Sequence, residues 1–83
     1  MAEAKVVAEG AEAKIIKIDE ESLKKLRIKK DYRIDLIDNK LRKFRNKREY
    51  KVLNKLYENS VNVPRPYEIF EKEEFSFTFE NVE

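Results

Sequence analysis

One carboxylate, Glu49, constrains the fold of this 83-residue chain more than any other group. The spacing from Leu36 to Tyr57 predicts a helix whose apolar stripe runs Leu41, Phe44, Val52, Leu53 and Leu56. At about 100° per residue, Glu49 falls inside that stripe, between Val52 and Leu53 in angle. A carboxylate turned toward a core is costly unless a cation meets it there. The strand-like segment just upstream, Ser22–Ile28, puts Leu23, Lys25 and Arg27 on one face and Leu26 and Ile28 on the other. Lys25 is the candidate partner, which requires a strand lying against the helix with Lys25 turned toward Glu49. Spacing alone also allows an interior ion pair with no further role, or a glutamate whose tip snorkels to water.

Charge is unevenly distributed around this pair. Lys24–Lys55 holds fourteen Lys and Arg against four acids, whereas Pro66–Glu83 holds six Glu against one Lys. A basic face of this kind attracts phosphates, of a nucleotide or of RNA; equally, it is the solvated side of a charged helix. There is no Cys and no His. Disulfides, thiolate chemistry, Cys-zinc sites and His-based catalysis are therefore excluded, and no metal-binding residue set is expected beyond oxygen ligation of a cation such as Mg²⁺ held by a substrate's phosphates. The size fits one small domain, residues 1–83, with 1–4 flexible. No targeting sequence or membrane-spanning run is visible, so the expectation is a soluble cytoplasmic protein. With 43% charged residues and no Gln, the composition leans towards a thermophile.

Along the chain, Lys5–Ala8 and Ala13–Ile18 read as two strands around Glu9-Gly10-Ala11-Glu12, where the only glycine marks a turn or a close backbone approach. Ser22–Ile28 is the third strand, and Lys30–Asp35 a connecting loop with Tyr32 and Arg33. The helix follows, with Asp35 or Asp38 as N-cap and Asn59-Ser60 as its stop. Val63-Pro64-Arg65-Pro66 leads into a strand at Tyr67–Phe70. After a polar turn at Glu71–Glu74, Phe75, Phe77 and Phe79 alternate with Ser76, Thr78 and Glu80, the clearest strand pattern in the chain. The expected fold is α+β: a five-stranded antiparallel sheet packed by one long helix.

This order is that of a protein-kinase small lobe. Four segments add to it: Gly10-Ala11-Glu12-Ala13, then Lys25-x-Arg27-x-x-Lys30-x-Tyr32-Arg33, then Leu41 to Glu49 with its Arg45-x-x-x-Glu49, and Val63-Pro64-Arg65-Pro66. With them the chain resembles the N-terminal lobe of the atypical kinase of the KEOPS complex, the PRPK family. Lys29 stands where the family usually has Pro, and Asp31 where it has Gly. The resemblance implies that Gly10, Ala11, Glu12 and Ala13 form a reduced phosphate-covering loop and that Lys25 contacts nucleotide phosphates while Glu49 holds it. It also implies that Phe79 and Glu80 are the gatekeeper and first hinge residue, beside which adenine would sit. ATP with Mg²⁺ is the implied cofactor, and threonylcarbamoyladenosine modification of tRNA the implied process. The catalytic-loop and metal-binding residues belong to the family's large lobe, so none is expected here, and the chain by itself is expected to be inactive.

Other readings stay open beside this one. Tyr32, Arg33, Lys40, Arg42, Lys43 and Arg45, with Lys47 and Arg48, are candidates for gripping tRNA phosphates, or ordinary surface. The Phe stripe is core, or a surface for a partner or a second copy of the chain. The partner expectation is a KEOPS subunit or a separate large-lobe chain. The rival function is a non-catalytic interaction protein that uses this fold to bind a KEOPS subunit or RNA.

Overall fold

The computed structural model describes residues 4–30 and 34–81. The expected flexibility of the first residues, apart from Ala4, and the expected loop positions of Tyr32 and Arg33 lie outside the described residues. Five strands and one helix follow in the order β1 (Lys5–Glu9), β2 (Ala13–Asp19), β3 (Ser22–Arg27), α1 (Asp35–Glu58), β4 (Pro66–Glu71) and β5 (Phe75–Glu80). The strands form one sheet in the order β1-β2-β3-β5-β4, with every neighbouring pair antiparallel. The fold is the α+β, kinase small-lobe-like arrangement the sequence predicts.

The alternation in β5 fixes the sheet's two faces. Phe77 is fully buried and lies 6.1 Å, edge-on, from the ring of Tyr50 on α1. The Phe75/Phe77/Phe79 side therefore faces the helix. Residues opposite one another in an antiparallel ladder share a face. Lys25 is opposite Phe77 and Leu23 opposite Phe79, so both point to the helix side, while Lys24, opposite Thr78, points the other way. Among the described residues the buried apolar side chains are Phe75 and Phe77 of β5, with Pro66 at the start of β4, which makes the core thin.

The helix is rotated from its expected setting. Phe44 and Val52, assigned to the core-facing stripe, are 62% and 49% exposed. The residues that α1 buries are Asp38 and Asn46. Contacts of Asn46 and Arg42 with the sheet set this rotation. The Asn46 amide donates to the carbonyls of Ser76 at 3.0 Å and Phe70 at 3.3 Å, near the end of the β4–β5 hairpin. Asp38 pairs with Arg42 at 2.7 Å, and the Arg42 guanidinium lies 4.9 Å from the centre of the Phe75 ring. A helix anchored through Asp38, Arg42, Asn46 and Tyr50 must turn Phe44 outward, because these anchors recur every four residues along one side.

The expected N-caps are corrected too. The cap position is Ile34, with no side-chain cap bond. Asp35 lies inside the first turn, and Asp38 is buried on the sheet side. Both acids still favour the positive end of the helix dipole. At the other end Ser60 adopts a left-handed backbone (φ 63°), and the Asn59, Ser60 and Val61 amides bond back to the last carbonyls. That closure explains why the helix stops at Asn59-Ser60.

Candidate functional site

Lys25 and Glu49 meet on the helix side of the sheet. The strand alternation aims Lys25 at α1, and the helix rotation brings Glu49 to the edge of the sheet-facing side. Lys25 Nζ donates to Glu49 Oε2 at 2.8 Å, with the two side chains 26% and 30% exposed. Each is thus partly desolvated, which strengthens the pair without stranding either charge.

Glu49 has a second cation. Arg27, two residues along β3 on the same face, bonds to Oε1, so each carboxylate oxygen holds one basic side chain. Arg27 is the more buried cation, at 12% exposure, and its guanidinium also donates to the Arg45 carbonyl of α1 at 3.4 Å. The sequence reading put Arg27 on the Lys25 face but did not pair it with Glu49. The i, i+2 repeat of Lys and Arg on a strand facing an acidic helix position was the available signal. The three groups together carry one net positive charge.

The β1–β2 turn borders this cluster. Gly10 N–H donates to the Ala13 carbonyl at 2.9 Å, closing the turn. Gly10 has no left-handed backbone, and a Cβ there would come no nearer than 3.7 Å to the Ala13 oxygen. Neither strain nor internal crowding therefore requires glycine at this position. Three contacts tie the turn down: Ile28 N–H to the Glu12 carbonyl at 3.0 Å, Lys30 Nζ to the Ala11 carbonyl, and Arg45 to the Glu12 carboxylate at 3.2 Å. Gly10, Ala11, Glu12 and Ala13 thus lie at the Arg27 end of the cluster, since Ala13 pairs with Arg27 and Ile15 with Lys25. An open groove beside Arg27 and Glu49 is lined by Leu41, Phe44, Arg48 and Val52 of α1.

Glu80 sits at the end of β5. Its backbone N–H donates to the Arg65 carbonyl at 3.0 Å and its carboxylate meets Arg65 at 3.3 Å, so the amide is already engaged. The basic residues of α1 divide. Arg42 is turned inward to Asp38 and Phe75, 13% exposed, and Arg45 is engaged with Glu12, whereas Lys40 and Lys43 stand in solvent. Tyr32 and Arg33 lie outside the described residues. Among the described residues no group of three or more acidic side chains is gathered to hold a metal ion, and no helix is long and apolar enough to cross a membrane.

A five-stranded antiparallel sheet, one helix after the third strand, and a strand lysine bonded to a helix glutamate define a protein with the kinase small-lobe architecture. Sequence comparison shows which proteins the chain is related to. The chain is 44% identical over 61 residues to an EKC/KEOPS complex subunit BUD32 of Enterocytozoon bieneusi, covering 74% of this chain and 29% of that protein. It is 43% identical over 74 residues to KEOPS complex subunit Bud32 of Pyrococcus abyssi, covering 78% of this chain and 34% of that protein. A probable bifunctional tRNA threonylcarbamoyladenosine biosynthesis protein of Methanobrevibacter smithii is 40% identical over 67 residues, 77% of this chain and 12% of that protein. No protein-family model matches the chain. Over about three quarters of its length the chain is a relative of the KEOPS Bud32 proteins, consistent with the small lobe of such a kinase. It spans about a third or less of the length of these relatives.

Proposed function

We propose that this chain is the nucleotide-binding small lobe of a KEOPS-type atypical serine/threonine kinase or ATPase linked to threonylcarbamoyladenosine modification of tRNA. The observation that carries the reading is the 2.8 Å Lys25–Glu49 contact, set on a small-lobe-like sheet and helix in a Bud32-like sequence. Phosphoryl transfer depends on a point charge held beside the phosphates, and a lysine fixed by a helix glutamate supplies one. The local excess of positive charge around Glu49 suits a polyphosphate. In this reading the phosphates lie between the Gly10–Ala13 turn and Lys25. The adenine rests near Leu23 and Phe79 and uses backbone groups at Glu80 other than its engaged N–H. Bound Mg²⁺ would be held through the nucleotide's own phosphates, since the metal ligands and the group orienting the acceptor hydroxyl are not offered by the described residues. Completion by further residues, of this protein or of a second chain, is part of the proposal, as are a single-domain unit over residues 1–83, KEOPS partners and a cytoplasmic setting.

Titration with MgATP tests the reading. The wild type is expected to bind weakly but saturably, because half a cleft buries little of a nucleotide. Lys25→Ala should weaken that binding about tenfold or more through loss of one charge-assisted bond. A wild type that takes up no ATP at millimolar concentration would leave an interaction protein built on this fold as the better account.

A further inference from the structure

The geometry points to Arg27 as a positioning residue: by holding one oxygen of Glu49 it leaves the charge of Lys25 only partly cancelled and free to engage a phosphate. This deepens the nucleotide reading and rests on it in one respect, that the anion is a nucleotide polyphosphate.

A strand lysine bonded alone to a helix glutamate is a neutral pair, and its positive end is largely cancelled. Here one carboxylate is divided between two cations, Oε2 to Lys25 and Oε1 to Arg27. Of the two, Arg27 is built as the permanent occupant. It is 12% exposed against 26% for Lys25, and its guanidinium also donates to the Arg45 carbonyl, which ties it to α1. Arginine stays charged at every accessible pH, and its planar fork suits two acceptors at once. Lysine is a single point charge on a flexible stem, 26% exposed here. When Lys25 turns a further N–H donor to a phosphate, Arg27 keeps the carboxylate neutralised, so the lysine stays held while its charge is shared outward. Without Arg27, Lys25 alone would neutralise Glu49, and less of its charge would be left for a phosphate.

The inference has a nucleotide-independent test and a nucleotide-dependent one. In the first, a double-mutant cycle with Lys25→Met and Glu49→Gln is measured by chemical denaturation, in the wild-type background and with Arg27→Met. Because Glu49 is shared, the Lys25–Glu49 coupling, expressed as a ratio of unfolding constants, should rise several-fold once Arg27 is gone. An unchanged or smaller coupling overturns the inference whether or not ATP binds. In the second, Arg27→Met should weaken MgATP binding about tenfold, leave the affinity for adenosine unaltered, and be rescued by Arg27→Lys to within about threefold of wild type. Equal losses for adenosine and ATP would assign Arg27 a merely structural part. Should Arg27→Met fail to fold, Arg27→Lys carries the test: retained coupling and ATP affinity support the charge-sharing account, while a folded Arg27→Lys that has lost ATP binding overturns it. Absence of ATP binding in every protein, with the coupling change intact, would sink the nucleotide reading but not the sharing of Glu49.

Discussion

Lys24 and Lys25 are neighbours on β3, and each meets a glutamate at nearly the same distance, 2.9 and 2.8 Å, yet they form unlike sites. Lys24 points away from the helix to Glu74. There the carboxylate also accepts the Ser76 hydroxyl at 2.6 Å, and the ammonium lies 5.0 Å from the centre of the Phe70 ring. The charges balance, and the acid lies in the turn that joins β4 to β5, so the contact clips a hairpin to its neighbouring strand. Lys25 points to the helix, where one acid is divided between two cations and positive charge is left over. The Lys24 pair closes its electrostatics on itself; the Lys25 cluster leaves some of its field directed outward, which is the feature the proposed nucleotide site relies on.

Phe77, opposite Lys25 on β5, is the largest test of that contrast, because its packing holds the sheet to the helix. Phe77→Ala is expected to remove about 3–5 kcal/mol, close to the whole stability of a domain this small. Circular dichroism would then show loss of both faces together. A cooperative melt within about 1 kcal/mol of wild type would mean that the ion clusters, and not Phe77, join sheet to helix. Next in size, Glu49→Gln leaves Lys25 and Arg27 facing each other and should cost about 1–2 kcal/mol in urea titrations, against about 0.5–1 kcal/mol for Glu74→Gln on the balanced side. The reverse order would erase the distinction between the Lys24 and Lys25 sides of the sheet.

Acid sharpens the contrast further. The Ser76 hydroxyl, and then Lys24, hold the Glu74 carboxyl below its usual value. A depressed folded value stabilises the protein at pH above the unfolded carboxylate's, about 4.3, and that contribution disappears as pH falls through the folded value. Wild type should therefore lose more stability than Glu74→Gln between pH 5 and the acid limit of folding, read as denaturation midpoints; parallel losses would remove Glu74 from the account. The smallest effect is expected at Gly10→Ala. With no positive φ and only ordinary contact for a Cβ, stability should move by about 0.5 kcal/mol or less. A larger loss would mean the turn is tighter than described.

Much of this was legible in the sequence because β-strands advertise their faces. Phe75, Phe77 and Phe79 gave the strand and its core side, and the same alternation aimed Lys25 at the helix. The rotation of α1 was not legible. A wheel drawn on hydrophobicity turns Phe44 and Val52 inward, but the sheet presents the carbonyls of Phe70 and Ser76, and only a donor such as Asn46 meets them. Asp38 and Arg42 stand four apart, the spacing of a helical ion pair, but a one-dimensional pattern cannot tell whether such a pair faces water or a Phe75 ring. The bond from Arg27 to Glu49 was not legible for a related reason. Pairing one acid with one base is the natural count along a sequence, whereas a carboxylate has two oxygens and a sheet can present two cations to it.

The thin core has a thermal consequence. Heat capacity of unfolding rises with the apolar surface that unfolding exposes and falls with the polar surface. A domain that buries two phenylalanines among its described residues, and supplements their packing against the helix with amide and ionic contacts, exposes little of the first and much of the second. Its stability curve should therefore be broad and shallow. Calorimetry would show a low, wide melting endotherm and little cold weakening, the behaviour of a domain that holds its shape across a wide span of temperatures.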